Sequence, residues 1–229
     1  MHSEHHVTSS ETIRDIVIGM SDGLTVPFAL AAGLSGAVIS SGLVVTAGIA
    51  EIVAGSIAMG LGGFLAGRTE ADHYNSELQR EYNEVERVPE QEKIEVKEVF
   101  AGFGLSDTLQ QQIADEMAKD KDKWVDFMMR NELGLEQPHP NRATKSAITI
   151  GASYIVGGII PLSPYIFVNH AQTALLYSCA ITLVCLFIFG YFKSKMTGRP
   201  ALSGALKVVF IGTLAAGAAF LMAKLITGK

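Results

Sequence analysis

Five long apolar runs alternate with short polar breaks along this chain. They cover about residues 16–40, 42–67, 146–168, 171–192 and 201–226. Each run is long enough to cross a bilayer core of about 30 Å as a helix. A soluble fold would have to bury all five inside a protein of 229 residues, which the surface-to-volume ratio of such a chain opposes. The pattern therefore predicts an all-α membrane protein with five transmembrane helices.

The second apolar run continues without a break into the polar stretch GRTEADHYNSELQREYNEVER, which Pro89 ends. This predicts a membrane helix with a long polar extension. Three short helices are predicted next: one ends near Gly102 or Gly104, one has Ser106 as its N-cap, and one ends at Gly134. The chain thus divides into residues 1–68, with a tail and two membrane helices, a helical segment 69–145, and residues 146–229 with three membrane helices.

Charge is distributed very unevenly. The 69–145 segment holds 18 of the 23 acidic and ten of the 18 basic residues, and its net charge is −8. The loops between the first and second runs and between the third and fourth contain no Lys or Arg. The positive-inside rule therefore places the N-terminus and the 69–145 segment in the cytosol and the C-terminus on the far side. The basic residues at the cytosolic ends are Arg14, Arg68, Arg142, Lys145, Lys193, Lys195 and Arg199.

Two acidic residues, Asp22 and Glu51, lie inside the first two apolar runs. A charged carboxylate near the bilayer centre costs on the order of 3 kcal/mol, so it usually faces a cavity, a partner or an ion. Met59 follows Glu51 by eight residues, on broadly the same side of the helix. We expect Asp22 and Met59 at similar depths and Glu51 deeper. A thioether beside carboxylates favours a softer first-row ion, although capping by Asp22 and packing by Met59 are the alternatives.

The 69–145 segment contains two E-x-x-E pairs and a pair of methionines one turn before another glutamate. Each E-x-x-E pair places two carboxylates on one helical face. A solvated acidic face is the simplest interpretation, but the side chains would form a compact multi-metal site if the short helices bundle. Glu70 and His73 form half of a di-iron carboxylate motif whose second half is absent. The candidate ligands are Glu81, Glu84, Glu92, Glu95, Met128, Met129 and Glu132.

Three long blocks resemble the vacuolar iron transporter family of plants and fungi: SDGLTVPFALAAGLSGA, GIAEIVAGSIAMGLGGFLAGRTEADHY and HPNRATKSAITIGASYIVGGIIPLSPY. The resemblance covers nearly the whole chain. It implies a homodimer of five-span subunits, with a translocation path between them and a cytosolic domain of short helices that binds Fe²⁺. The family's membrane ligand positions fall on Asp22, Glu51 and Met59, and its cytosolic metal positions fall on the seven candidate ligands of the 69–145 segment.

The resemblance implies an antiporter that moves cytosolic Fe²⁺ into the vacuole in exchange for protons. We expect Mn²⁺, Co²⁺ or Zn²⁺ as further cargo. We expect neither enzymatic activity, a prosthetic group nor a nucleic-acid partner. A membrane-anchored di-iron ferroxidase and a metal-buffering protein are the alternatives. His2, His5 and His6 predict a flexible tail, while Cys179 and Cys185 suggest neither a disulfide nor a metal motif.

Overall fold

The structure, a computed structural model, describes residues 7–37 and 39–228 of the chain. The described residues form eight helices: α1 (Val7–Ala37), α2 (Ser41–Arg87), α3 (Pro89–Gly102), α4 (Asp107–Met117), α5 (Lys121–Asn131), α6 (Arg142–Phe167), α7 (Ala171–Met196) and α8 (Ala201–Thr227). Helices α1, α2, α6, α7 and α8 are long and apolar enough to cross a membrane. The predicted all-α class and five helices of membrane-spanning length are therefore confirmed. His2, His5 and His6 lie outside the described residues.

The polar extension of the second apolar run is part of α2, which is one helix of 47 residues. Val88 leaves helical geometry at φ −133°, and Pro89 occupies the first turn of α3. Proline suits this position because its missing N–H would have no partner inside the helix. A single residue thus joins α2 to α3. Ser106 is the N-cap residue of α4 as predicted, although its side chain makes no capping hydrogen bond.

Contacts between residues divide the chain into two compact units. Unit 1 comprises Met1–Phe64 and Ala143–Lys229, and unit 2 comprises Leu65–Arg142. Unit 2 overlaps the segment expected over residues 69–145. Helix α2 contributes its apolar part to unit 1 and its polar part to unit 2.

In unit 1, helix α6 packs closely against both α1 and α2 through glycines. A Cβ atom on Gly23 would lie 2.3 Å from the Tyr154 carbonyl oxygen, and one on Gly60 would lie 3.0 Å from the Ala147 carbonyl oxygen. These glycines let helix backbones approach each other. The sequence also shows a small-residue stripe on α2, whose four members are all exposed in unit 1 and unit 2: Ala54, Ala58, Gly62 and Ala66.

Unit 2 has its own apolar core, formed by Tyr74, Val85, Val96, Ala114, Trp124, Val125, Met128 and Met129. Ion pairs and one hydrogen bond tie its helices together at the surface. Lys93 on α3 lies 3.2 Å from Asp115 on α4, and the Tyr82 hydroxyl on α2 donates to Asp122 on α5 across 2.9 Å. The core fixes the faces of α2, α3 and α5 that carry the acidic residues.

Candidate metal sites

Three glutamates from two helices of unit 2 converge on one point. Glu81 and Glu84 come from α2, Glu92 comes from α3, and each offers a carboxylate oxygen within 4.8 Å of the others. Glu81 and Glu92 each lie one turn before a core residue, Val85 and Val96 respectively. Residues four apart share a helical face. The carboxylates therefore lie at the edge of the apolar core rather than on a solvated face.

Glu95 and Glu132 extend this group to five carboxylates, which we call the glutamate cluster: Glu81, Glu84, Glu92, Glu95 and Glu132. Burial raises the pKa of Glu92 to about 7, and repulsion from Glu95 and then Glu81 adds to the shift. Burial is also the first cause of the raised pKa of Glu132, and repulsion from Glu95 is the second. The two E-x-x-E pairs and Glu132 are thus close enough to influence one another.

Glu81 lies on α2 well beyond the apolar run that ends at Gly67. Its side chain is only 2% exposed. Burial raises its pKa to about 7, and repulsion from Glu132 and Glu84 contributes further. Like charges this close are unfavourable in a metal-free site, because each carboxylate disfavours the ionisation of the others.

Two oxygens of the glutamate cluster are buried without a hydrogen-bond partner among the described residues: Oε2 of Glu81 and Oε2 of Glu92. An unpaired buried acceptor costs about 1–3 kcal/mol. A divalent cation would satisfy both oxygens and cancel the repulsion between the carboxylates. Oxygen donors of this kind suit hard or borderline divalent ions. The donor set therefore fits a bound divalent metal.

Met128 and Met129 are fully buried and belong to the apolar core of unit 2, together with Trp124 and Val125. The sequence did not indicate this core. Packing accounts for both side chains. Glu132 follows Met128 by one turn, as the C-cap residue of α5. Metal binding by either thioether stays a prediction.

Two charged residues that were not predicted from the sequence, Glu98 and Arg80, lie close enough to affect the cluster. Glu98 adds to the repulsion that raises the pKa of Glu132. Arg80 places its guanidinium beside Glu81 and Glu84. The Glu70 and His73 motif is exposed, and the His73 imidazole lies 3.9 Å from Glu77. His73 is therefore a surface residue, not part of the converging carboxylates.

In unit 1, the Glu51 carboxylate on α2 accepts a hydrogen bond at Oε1 from the hydroxyl of Tyr154 on α6. Its second oxygen, Oε2, is buried without a partner among the described residues. Gly55 lies one turn after Glu51, and a Cβ atom there would come within 2.5 Å of the Tyr154 hydroxyl. Gly55 therefore leaves the space in which this hydrogen bond forms. Sequence spacing offered no signal for Tyr154, which is 103 residues away.

Asp22 and Met59 are both half-buried near the same helix. Asp22 precedes Gly23, which packs against the backbone of Tyr154. Met59 precedes Gly60, which packs against Ala147, nearer the start of α6. Asp22 therefore lies near Tyr154, and Met59 lies nearer the start of α6. The expected similar depth of Asp22 and Met59 stays a prediction.

Five helices of membrane-spanning length, with carboxylates both inside unit 1 and clustered in unit 2, define a multi-pass helical membrane protein with acidic sites. The model of the VIT family matches residues 13–224, and the chain belongs to this family.

Its similarity to named proteins extends over nearly the full length. Vacuolar iron transporter 1 of Arabidopsis thaliana is 52% identical over 98% of this chain and 90% of its own length. Vacuolar iron transporter 1 of Oryza sativa subsp. japonica is 51% identical over 97% of this chain and 88% of its own length. Protein CCC1 of Saccharomyces cerevisiae is 40% identical over 93% of this chain and 69% of its own length.

Proposed function

We propose that this protein is an antiporter that moves cytosolic Fe²⁺ into the vacuole in exchange for protons. The names of the plant relatives support both the cargo and the membrane. The observation that carries the proposal is the glutamate cluster: carboxylates of α2 and α3 converge there, and two of its oxygens are buried without a partner among the described residues. Mn²⁺, Co²⁺ and Zn²⁺ are further cargo ions, because sites with such ligands bind the first-row divalent ions with graded affinities.

Capture takes place at the glutamate cluster. Glu81 and Glu92 carry pKa values of about 7 because of burial, so both exchange protons near neutral pH. An incoming cation binds the deprotonated carboxylates and releases any protons that they hold. Glu84, Glu95 and Glu132 add negative charge that attracts the cation. Met128 and Met129 hold the face of α5 against the core, and thioether binding by either is an additional hypothesis.

Passage through the membrane uses Asp22, Met59 and Glu51. The carboxylates of Asp22 and Glu51 bind the cargo in turn, and the thioether of Met59 supplies a softer ligand. The Tyr154 hydroxyl donates to Oε1 of Glu51 and so holds the carboxylate in one orientation. Oε2 of Glu51 then stays available to bind the cation. A proton from the acidic lumen then competes with the cation for the same carboxylates, which releases the cation and couples the two fluxes.

The functional protein is a homodimer in the vacuolar membrane, with the N-terminus and unit 2 on the cytosolic side. Two observations support this arrangement. Seven basic residues flank the helix ends on the proposed cytosolic side, while on the other side Lys224 lies in the last turn of α8 and Lys229 follows it. The exposed stripe of small residues on α2 also suits close packing with a second copy: Ala54, Ala58, Gly62 and Ala66.

Anaerobic Fe²⁺ uptake into proteoliposomes with a pH-sensitive dye inside tests the proposal. We expect an acidic lumen to drive Fe²⁺ entry and the lumen to become more alkaline as Fe²⁺ enters. An Fe²⁺ uptake rate that does not change with the proton gradient would exclude antiport. Oxygen uptake on adding Fe²⁺ under air would instead identify a ferroxidase, although the exposed position of His73 gives such a site no histidine from this motif. Binding without movement of either ion would identify a buffering protein.

A further inference from the structure

Arg80 on α2 contacts three glutamates at once. Its Nη1 lies 2.7 Å from Glu77 Oε2. Its Nη2 lies 3.6 Å from Glu81 Oε1, and its Nε lies 3.4 Å from Glu84 Oε2. The Arg80 side chain is 49% exposed, so its guanidinium reaches the cluster from the solvent side. A cation of the protein itself therefore already pairs with two of the converging carboxylates.

Within the described part of the chain, Arg80 is the basic residue that forms ion pairs with the glutamate cluster. Its positive charge opposes the raised pKa of both Glu81 and Glu132. Other basic residues of unit 2 form ion pairs outside the cluster. Lys93 pairs with Asp115, and Arg130 pairs with Asp126 one turn earlier on its own helix. The position of Arg80 at the cluster is thus a specific feature of this region.

A bound divalent cation would lie beside the same oxygens as this guanidinium. Two like charges a few ångströms apart repel each other, most strongly where water is partly excluded. Glu77 lies outside the cluster but makes the shortest contact with Arg80, so the guanidinium keeps a partner if it leaves Glu81 and Glu84. The geometry allows an exchange in which Arg80 pairs with the cluster when metal is absent and with Glu77 alone when metal is bound.

We propose that Arg80 is a built-in competitor of the metal, which weakens capture at the glutamate cluster and speeds release of the captured ion. This inference rests on the proposed function of the cluster as the capture site. Five acidic groups without a counter-ion would hold a divalent cation tightly and return it slowly. Arg80 sets an intermediate affinity, and an ion in transit requires such an affinity to move on. The opposite role, in which Arg80 orients Glu81 and Glu84 for binding, predicts the opposite result.

The test measures Fe²⁺ binding to the full-length protein in detergent without oxygen. Trp124 is the only tryptophan of the chain and is buried in the core beside Met128, so quenching of its fluorescence reports binding. We expect Arg80→Gln to tighten the Fe²⁺ dissociation constant on the order of three- to tenfold. Release into excess chelator, followed by stopped flow, should slow by a similar factor. Arg80→Lys keeps the charge and should stay within about twofold of the wild type.

Arg130→Gln is the matched control because it removes the same charge from unit 2 at an ion pair outside the cluster. It should leave the dissociation constant unchanged. Unchanged or weaker binding by Arg80→Gln would overturn the proposal, and Arg80→Met provides a second neutral replacement if the glutamine variant does not fold. Melting curves without metal identify that case.

A Glu81→Gln and Glu92→Gln double variant separates the two levels of inference. If it binds Fe²⁺ as tightly as the wild type, the glutamate cluster is not the capture site, and the role of Arg80 fails with it. If the double variant loses binding while Arg80→Gln binds no tighter than the wild type, the cluster stands and only the role of Arg80 fails.

Discussion

Fe²⁺ binding at the glutamate cluster should depend steeply on pH between 6 and 8. Glu81 and Glu92 both have pKa values raised to about 7, first by burial and then by repulsion from neighbouring carboxylates. Both must be deprotonated to bind the metal. At pH 8 each is about nine-tenths deprotonated, and at pH 6 each is about nine-tenths protonated. Each group therefore lowers the apparent affinity about tenfold over this range, and the two together lower it about 100-fold.

The assay is the anaerobic Trp124 fluorescence titration, repeated at pH steps from 6 to 8. Glu92→Gln removes one titrating group, so its pH dependence should fall to about tenfold although its binding is weaker throughout. Glu70→Gln serves as control, because Glu70 is an exposed acid of α2 that takes no part in the cluster. A change of less than about threefold in the wild type would refute the reasoning, since it would mean that binding releases neither proton.

The same carboxylates make the stability of the metal-free protein fall as pH rises. Their folded-state pKa of about 7 exceeds the ordinary value of 4.5, so the folded protein binds more protons than the unfolded chain. The contribution of these two groups to the stability is largest below pH 4.5. It is lost as the pH rises from 4.5 through about 7. Fe²⁺ should offset the loss at pH 8. A melting temperature of the metal-free protein that rises from pH 5.5 to pH 8 would contradict this sign.

Three further outcomes follow from the two sites. Glu51→Gln should keep the fold but abolish proton-coupled uptake in proteoliposomes; uptake at the wild-type rate would exclude Glu51 from coupling. Tyr154→Phe and Gly55→Ala remove the same hydrogen bond from opposite helices, one by deleting the hydroxyl and one by displacing it, so both should slow uptake about tenfold. If only one of them does, the hydrogen bond is not the cause. Met129→Leu conserves core volume and should change the unfolding free energy by less than about 1.5 kcal/mol; weaker Fe²⁺ binding by this variant would identify the thioether as a ligand.

The helices were predictable because their signals are local. Runs of about 20 apolar residues determine α6, α7 and α8 within a few residues, and Pro89 determines the end of α2, whereas α1 begins about nine residues before its apolar run. The E-x-x-E spacing likewise established that each pair shares one helical face. Its burial was not predictable, because it depends on α3 folding back after a single non-helical residue, Val88. The default of a solvated acidic face fails for Glu81 and Glu92 for this reason.

Contacts between residues far apart in the sequence could not be predicted either. Tyr154 meets Glu51 across 103 residues, and the only local trace of this contact is the missing side chain at Gly55. A glycine in an apolar helix has many explanations, so that trace could not identify its partner. Met128 and Met129 lacked an apparent core because most of the residues that bury them come from other helices, such as Val85 on α2 and Val96 on α3.

The two acidic sites differ in how much charge they gather, and that difference bears on the direction of transport. The glutamate cluster gathers five carboxylates against one guanidinium, so it attracts a divalent cation strongly but needs a proton or Arg80 to release it. Glu51 has a neutral partner, Tyr154, and with Asp22 the proposed membrane path offers two carboxylates instead of five. Such a site would hold a divalent cation less tightly than the glutamate cluster. In the proposed antiport, strong capture in unit 2 followed by weaker binding in unit 1 would need an external driving force, which protonation of the carboxylates on the acidic side would supply.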